Sequence, residues 1–275
     1  MATIPQRAPD RLLPRVAAAW LVAALIGQWA FFHYIAAFYG SSVLTGDLET
    51  WNRLAALGRR PYVPGDTGGN AAFAAHALGA GLVALGGALQ LVPWIRARFP
   101  RFHRWNGRVF LLTVVALSLS GFYLVWVRRT SPSTLDGLST SFNGLLILAF
   151  AFLAYRAARA RDFVVHRRWA MRLYLVSNAQ WFLRVGLFGY FIGGKALGLS
   201  PAFGDPFLKF WTFGCYLVPL AVLQLYFHAQ RGPRWTRVAM AVLLVALTAY
   251  MLAGMVGFGA FSQMIVSGKP LAFPK

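Results

Sequence analysis

Seven apolar segments, each about as long as a bilayer is thick, constrain this 275-residue chain more than any other feature. A helix needs about 20 mostly apolar residues to cross the hydrocarbon core. Because no water reaches the backbone there, segments of this length must be helical. The predicted fold is therefore an all-α polytopic membrane protein, a single-domain bundle of seven transmembrane helices over residues 1–275. The predicted spans lie near residues 16–38, 71–95, 109–127, 138–157, 169–194, 206–228 and 238–261.

The charge distribution predicts the orientation of the chain. With 58% hydrophobic and 12% charged residues, the composition excludes a soluble domain of this length. A net charge of +20 would suit a nucleic-acid binder, but 17 of the 27 basic residues precede the first span or lie in the second, fourth and sixth loops and the ends of the adjoining spans. Nine lie on the other side. The positive-inside rule then places the amino terminus in the cytoplasm and the carboxyl terminus outside. The expected partner of the basic loops is the anionic headgroups of the cytoplasmic leaflet, with no nucleic acid involved.

Arg184, near the centre of the fifth segment, indicates where a site would lie. A charged residue at this depth costs about 2.5–3.5 kcal/mol on insertion scales and almost always faces a partner or a polar cavity. Ser177 and Gln180 share its helical face. At 1.5 Å rise per residue, four intramembrane polar residues lie within about one or two helical turns of the same depth. This predicted outer polar layer, the candidate cofactor-binding set, consists of His33, His76, Asn143 and Arg184.

A second polar layer is predicted nearer the cytoplasm, where two loops echo each other. Residues 101–108 read RFHRWNGR and residues 165–172 read VHRRWAMR, so each places a His-Arg pair, a Trp and a further Arg before a span. Headgroup anchoring by Trp and Arg is the favoured interpretation. In the alternatives, His103 and His166 line one pocket, or the echo records duplication of a two-helix unit. The predicted inner layer contains Gln90, His103, Arg104, His166, Arg167, Gln224 and His228.

The same motifs carry a resemblance to a known family. His76, Gly79, Gly86-Gly87, Gln90 and Arg96 are followed by residues 103–108, Arg161-Asp162, residues 166–172 and Arg184. Over roughly residues 70–194 the chain resembles the domain-of-unknown-function 2306 family of predicted bacterial membrane proteins. The resemblance implies the same fold and a location in the bacterial cytoplasmic (inner) membrane as an integral multi-pass protein. That family has no established activity, so the resemblance implies no catalytic residues.

Three classes of function remain open from the residues. Electron transfer is the first: His33 and His76 would ligate the iron of one haem b with Arg184 near its propionates, or the same donors would hold a quinone. The second is a carrier or binding protein for a small anionic molecule or lipid, with Arg184 as the partner. The third is a non-catalytic membrane scaffold in which Asn143 and backbone carbonyls satisfy Arg184. Enzymatic activity and oligomeric state stay undetermined.

Several chemistries are excluded or disfavoured by what the spans lack. Acidic residues are almost absent from them, which disfavours hydrolysis by paired carboxylates, a metal site with an acidic ligand, and proton coupling through intramembrane acids. The third to fifth spans contain no histidine, so a two-haem cytochrome of the b561 type does not fit. The last span has no lysine for a retinal Schiff base. The first loop, residues 39–70, is expected to be a solvated connection with Trp51 and Tyr62 in the outer interface, and a cover over the bundle is the alternative.

Overall fold

The computed structural model describes residues 11–58, 60–202 and 204–269. Arg7, Arg59 and Lys275, which contribute to the charge count, lie outside the described residues. The described part is helical throughout and contains no strand. Its α-helices are α1 Leu12–Ile35, α2 Ser41–Thr45, α3 Thr67–Leu91, α4 Pro93–Arg98, α5 Pro100–Phe122, α6 Thr134–Arg159, α7 Phe163–Ser177, α8 Ala179–Ala196, α9 Pro206–Ala229 and α10 Arg234–Val266. Short π-helical segments, Ala36–Gly40 and Tyr123–Val127, continue α1 and α5, and a 3-10 helix covers Leu48–Leu57.

Six helical stretches in the described residues are long and apolar enough to cross a membrane, which confirms the all-helical membrane class. They are Leu12–Thr45, Thr67–Leu91, Pro100–Val127, Thr134–Arg159, Pro206–Ala229 and Arg234–Val266. The fifth predicted span is not one continuous helix. Helices α7 and α8 are separated by a break at Asn178, and neither helix is by itself long and apolar enough to cross a membrane.

The break between α7 and α8 follows from local side-chain chemistry. Asn178 donates from its backbone N–H and, at 2.8 Å, from its side-chain amide to the carbonyl of Tyr174. Ser177 donates to the carbonyl of Leu173 at 2.7 Å. Ser and Asn side chains that bond the local backbone compete with the regular helical ladder. The backbone N–H groups of Trp181 and Phe182 then bond the Asn178 carbonyl, and α8 begins.

The ends of the bundle can be identified from packing contacts. Leu13 at the start of α1 packs in one cluster with Ala229 at the end of α9 and Met240 near the start of α10. We call this the amino end. At the other end, Arg53 donates to the carbonyls of Ile265 and Val266 at 3.1 and 3.2 Å. The start of α1 and the end of α10 therefore lie at opposite ends of the bundle.

The first loop is an ordered cap rather than the solvated connection we expected. We call residues 46–58 and 60–66 the strap, and the end that they cover the strap end. Trp51 is 0% exposed and contacts the rings of Tyr39 and Phe73 at centroid distances of 6.1 and 5.4 Å. Asn52 and the backbone of Tyr62 exchange two hydrogen bonds of 3.1 and 3.2 Å. The strap is fixed because its aromatic residue finds a buried place against α1 and α3.

Helix α8 packs closely against α9 and α10. A Cβ at Gly254 would clash with the backbone of Val185, so the two helices approach as only small residues allow. The Tyr250 hydroxyl donates to the carbonyl of Gly186 at 2.6 Å. The Trp211 indole donates to the carbonyl of Leu183 at 3.2 Å. These contacts hold the segment that carries Arg184.

Candidate functional site

Arg184 lies in the second turn of α8, just beyond the break at Asn178. Its Nη1 donates to the backbone carbonyl of Gln180 at 2.7 Å and to the side-chain oxygen of Gln180 at 3.1 Å. The guanidinium carbon lies 5.2 Å from the ring centroid of Phe31 on α1 and 6.0 Å from that of Phe258 on α10. Arg184 is thus a cation placed between two aromatic faces where α1, α8 and α10 meet.

The positive charge of Arg184 has no acidic partner in the part of the chain that the structure describes. The single ion pair there joins Arg128 and Asp66 at 2.9 Å. Arg184 is half-buried, and Gln180 beside it is exposed. Arginine has five N–H donors, and its described bonds to protein all use Nη1. Because Arg184 is only half-buried, its remaining N–H groups can donate to an acceptor oxygen of a ligand.

The two predicted haem ligands are not brought together. His33 is exposed on α1, whereas His76 is half-buried with its Nδ1 2.9 Å from the Ser120 hydroxyl on α5. Glycines of α3 between His76 and Gln90 are packed against α5. A Cβ at Gly79 would lie 2.8 Å from Leu117, and one at Gly87 would lie 2.8 Å from Phe110. This arrangement does not fit a haem held between His33 and His76.

Asn143 serves the helix break rather than the Arg184 side chain. Its Nδ2 donates to the carbonyl of Val176 at 3.1 Å, two residues before Asn178. This carbonyl also accepts a backbone N–H at the end of α7. Asn143 of α6 adds an interhelical donor beside the break. The predicted outer layer therefore divides into the Arg184 site, an interhelical bond at Asn143, and two separate histidines.

Two residues of the predicted inner layer bond backbone carbonyls of the neighbouring helix. Gln90 donates to the backbone carbonyl of His103 at 3.0 Å, and His166 Nδ1 lies 2.9 Å from the carbonyl of Ala154. The side chains of His103 and His166 are both half-buried. The exposed members of the predicted layer are Arg104, Arg167, Gln224 and His228.

The two echoed loops form the same side-chain contact. The Arg108 guanidinium lies 4.9 Å from the ring of Trp105, and the Arg172 guanidinium lies 4.6 Å from that of Trp169. In each case the arginine follows the tryptophan by three residues, which places both on one helical face. The two similar sequence segments therefore form the same local contact, one at the start of α5 and the other within α7.

One buried polar pair was missed from the sequence. Gln28 is 0% exposed, and neither polar atom of its side-chain amide has a hydrogen-bond partner in the described residues. The Tyr174 hydroxyl lies beside it without reaching ordinary hydrogen-bond geometry. The sequence could have indicated Gln28, because it is a polar residue within the first apolar segment, as His33 is. Among the described residues, no group of three or more His, Cys, Asp or Glu side chains could hold a metal ion.

The resemblance seen in the sequence is confirmed by comparison with known families. Residues 73–200 match the family model described as "Predicted membrane protein (DUF2306)". That region runs from α3 through the Arg184 site to just beyond α8. No curated protein and no solved structure matches the chain. With six apolar helices and this match, the chain is an integral, multi-pass membrane protein.

Proposed function

We propose that the chain crosses the bacterial cytoplasmic membrane seven times, with α7 and α8 together forming one discontinuous span. Three observations support this count. The start of α1 and the end of α10 lie at opposite ends of the bundle. The start of α6 lies beside the start of α9, because the Ser139 hydroxyl donates to the carbonyl of Thr212 at 2.7 Å. Helix α6 then runs 26 residues away from that end, so α7 and α8 must return the chain to it.

The basic residues support a cytoplasmic amino end. The connections from α3 to α5, from α6 to α7 and from α9 to α10 all belong to this end, and the excess of arginine lies in them and in the helical turns beside them. Lysine and arginine are enriched in cytoplasmic loops. The strap end and the carboxyl terminus would then lie outside.

We further propose that the protein binds a lipophilic small molecule with an anionic group, and that Arg184 holds that group. The observation that carries the proposal is a half-buried guanidinium without an acidic partner in the described residues, beside a break in a membrane helix. Interrupted membrane helices commonly form ligand sites in transporters, since their free ends carry partial charge. Phe31 and Phe258 provide apolar walls, and Gln180 adds an amide beside the cation.

The fork geometry of arginine defines the ligand chemistry. A guanidinium can bond a carboxylate or phosphate through two parallel hydrogen bonds, and such charge-assisted bonds are stronger than neutral ones. An apolar tail would remain in the hydrocarbon. The expected class is therefore an amphiphilic carboxylate or phosphate rather than a hydrophilic anion. A quinone carbonyl would use the same donors and is the alternative occupant.

The test is ligand-dependent thermal melting of the purified, full-length protein in detergent. Laurate should raise the melting temperature, whereas dodecanol, which has the same chain length without the charge, should not. A ligand at 100 times its dissociation constant stabilises by about 2.7 kcal/mol. Arg184→Leu should abolish the response to laurate. Arg184→Lys should keep part of it, because lysine carries the charge without the planar fork.

Two outcomes would contradict the proposal. If Arg184→Leu raises the melting temperature and still responds to laurate, Arg184 is an anchor that reaches towards the membrane surface and not a binding residue. If a short-chain ubiquinone analogue stabilises the wild type and laurate does not, the site belongs to a quinone. Arg108→Gln, which changes the exposed arginine on Trp105, is the matched control and should respond as the wild type does.

A further inference from the structure

A second cationic site lies on the surface between α7 and α9. The Arg172 guanidinium lies 4.6 Å from the Trp169 ring and 5.5 Å from the Phe227 ring. Its Nη2 donates to the side-chain oxygen of Gln224 at 2.9 Å. The Arg168 guanidinium lies 5.5 Å from the same Phe227 ring. The Phe227 ring therefore has two guanidinium groups 5.5 Å from its centroid.

The two arginines need a counter-charge that the described protein does not supply. Arg172 Nη1 donates to the backbone carbonyl of Arg168 at 3.2 Å, so the two residues are held on one helical face. Neither forms an ion pair with an acidic side chain in the described residues. Both guanidinium groups lie 5.5 Å from the centroid of the Phe227 ring, so two like charges are held close together. Each cation–π contact contributes about 0.5–1 kcal/mol at an exposed site, but the rings carry no net negative charge that would neutralise the pair.

We propose that Arg168 and Arg172 bind the phosphate of an anionic phospholipid. An anion between two guanidinium groups converts their repulsion into attraction, and arginine pairs match phosphate geometry. Gln224 fixes Arg172 and leaves its other donors for the phosphate. This site is separate from that of Arg184 and does not depend on the ligand proposed there.

The surroundings favour a lipid over a soluble phosphate. Helix α9 presents a stripe of exposed side chains that includes Leu217, Gln224 and Leu225. The two leucines are 41% and 53% exposed, and they lie on the helix that carries Gln224 and Phe227. An acyl chain can lie along this stripe while its phosphate rests on the arginines. A free phosphate ion would gain nothing from these apolar side chains.

The echoed motif provides a matched control within the same protein. Arg108 stacks on Trp105 as Arg172 stacks on Trp169, at 4.9 and 4.6 Å. Within the described residues, no second arginine stacks on the Trp105 ring and no glutamine bonds Arg108. A lipid effect that requires the paired site should therefore follow Arg168 and Arg172 and not Arg108.

The experiment measures lipid retention by native mass spectrometry on the full-length protein, released from nanodiscs that contain equal amounts of phosphatidylglycerol and phosphatidylcholine. We expect the wild type to retain phosphatidylglycerol preferentially. The affinity should fall about fivefold for each arginine removed, the effect of one basic residue near an anionic surface. Arg168→Gln and Arg172→Gln should therefore each weaken retention, and the double variant should lose the preference. Arg108→Gln should keep it.

Three results would overturn the proposal. The first is equal retention of phosphatidylglycerol by the wild type and the double variant. The second is an equal loss in Arg108→Gln, which would indicate unspecific surface charge. The third is displacement of phosphatidylglycerol by millimolar inorganic phosphate, which would assign the site to a soluble anion. Melting curves of each variant in detergent should remain near that of the wild type and thereby exclude unfolding as the cause of lost retention.

Discussion

Asn143 donates a hydrogen bond of 3.1 Å to the carbonyl of Val176, the point at which the helix that leads to Arg184 is interrupted. The bond joins α6 to the end of α7 and adds a second donor to a carbonyl that also accepts a backbone N–H. An interhelical bond from α6 therefore supports the break that precedes α8.

Asn143→Ala should destabilise the break. Interhelical hydrogen bonds in membranes contribute about 1–2 kcal/mol in model peptides, so the free energy of unfolding should fall by roughly this amount. Hydrogen exchange of the amides at residues 177–182 should become faster. Thr113→Val, which removes an exposed hydroxyl bonded to its own helix, is the control and should change neither measurement. Unchanged exchange at the break would show that Asn143 is dispensable there.

The strap should make stability depend on pH through Asp66. The bond from Arg128 and, second, the backbone N–H of Gly69 hold the pKa of Asp66 below its ordinary 3.8, against a smaller opposing effect of burial. The stabilisation is fully present above the unfolded-state pKa and is lost as the pH falls through the lower folded-state pKa. The melting temperature should therefore decrease as the pH is lowered below about 4.

Asp66→Asn should flatten part of that acid dependence. A second group titrates in the same window, because the Tyr190 hydroxyl and the backbone N–H of Ala202 lower the pKa of Asp205. Asp205→Asn is therefore the matched comparison, and the double variant should be flatter than either single one. If the melting temperature falls equally at low pH in the wild type and in Asp66→Asn, the acid dependence does not come from the strap.

Seven crossings predict opposite sides for the two termini. An alkaline phosphatase reporter fused after Lys275, which lies outside the described residues, should be active. The same reporter inserted in the loop between α6 and α7 should be inactive, and one inserted at residues 199–202, after α8, should be active. Inactive enzyme at residues 199–202 would mean that α7 and α8 do not cross together.

The structure argues against haem ligation by His33 and His76, and an absorption spectrum tests this. Since His33 is exposed and His76 contacts Ser120, we expect the protein purified from haem-replete cells to lack a Soret band. A band that shifts on dithionite reduction and disappears in His76→Ala, but persists in His228→Ala, would restore the electron-transfer hypothesis.

The sequence determined the class of fold, because the length and polarity of a segment decide by themselves whether it can remain in hydrocarbon. It also determined the excess of arginine in alternate loops. The Trp-x-x-Arg spacing of the echo is local and explains the contact seen in both segments, since residues three apart on a helix face the same way.

Other features were decided by tertiary structure alone. Depth along a helix follows from counting residues, but the face that a helix turns to its neighbours depends on packing. His33 is therefore exposed on α1, whereas His76 contacts Ser120 on α5. Asn143 was a candidate partner of Arg184 and instead donates to the carbonyl of Val176, beside the break that the Ser177 and Asn178 side chains favour by bonding the backbone of α7. The pairing of Arg168 and Arg172 on Phe227 required α9 to lie against α7, a contact between residues more than fifty positions apart that no local pattern encodes.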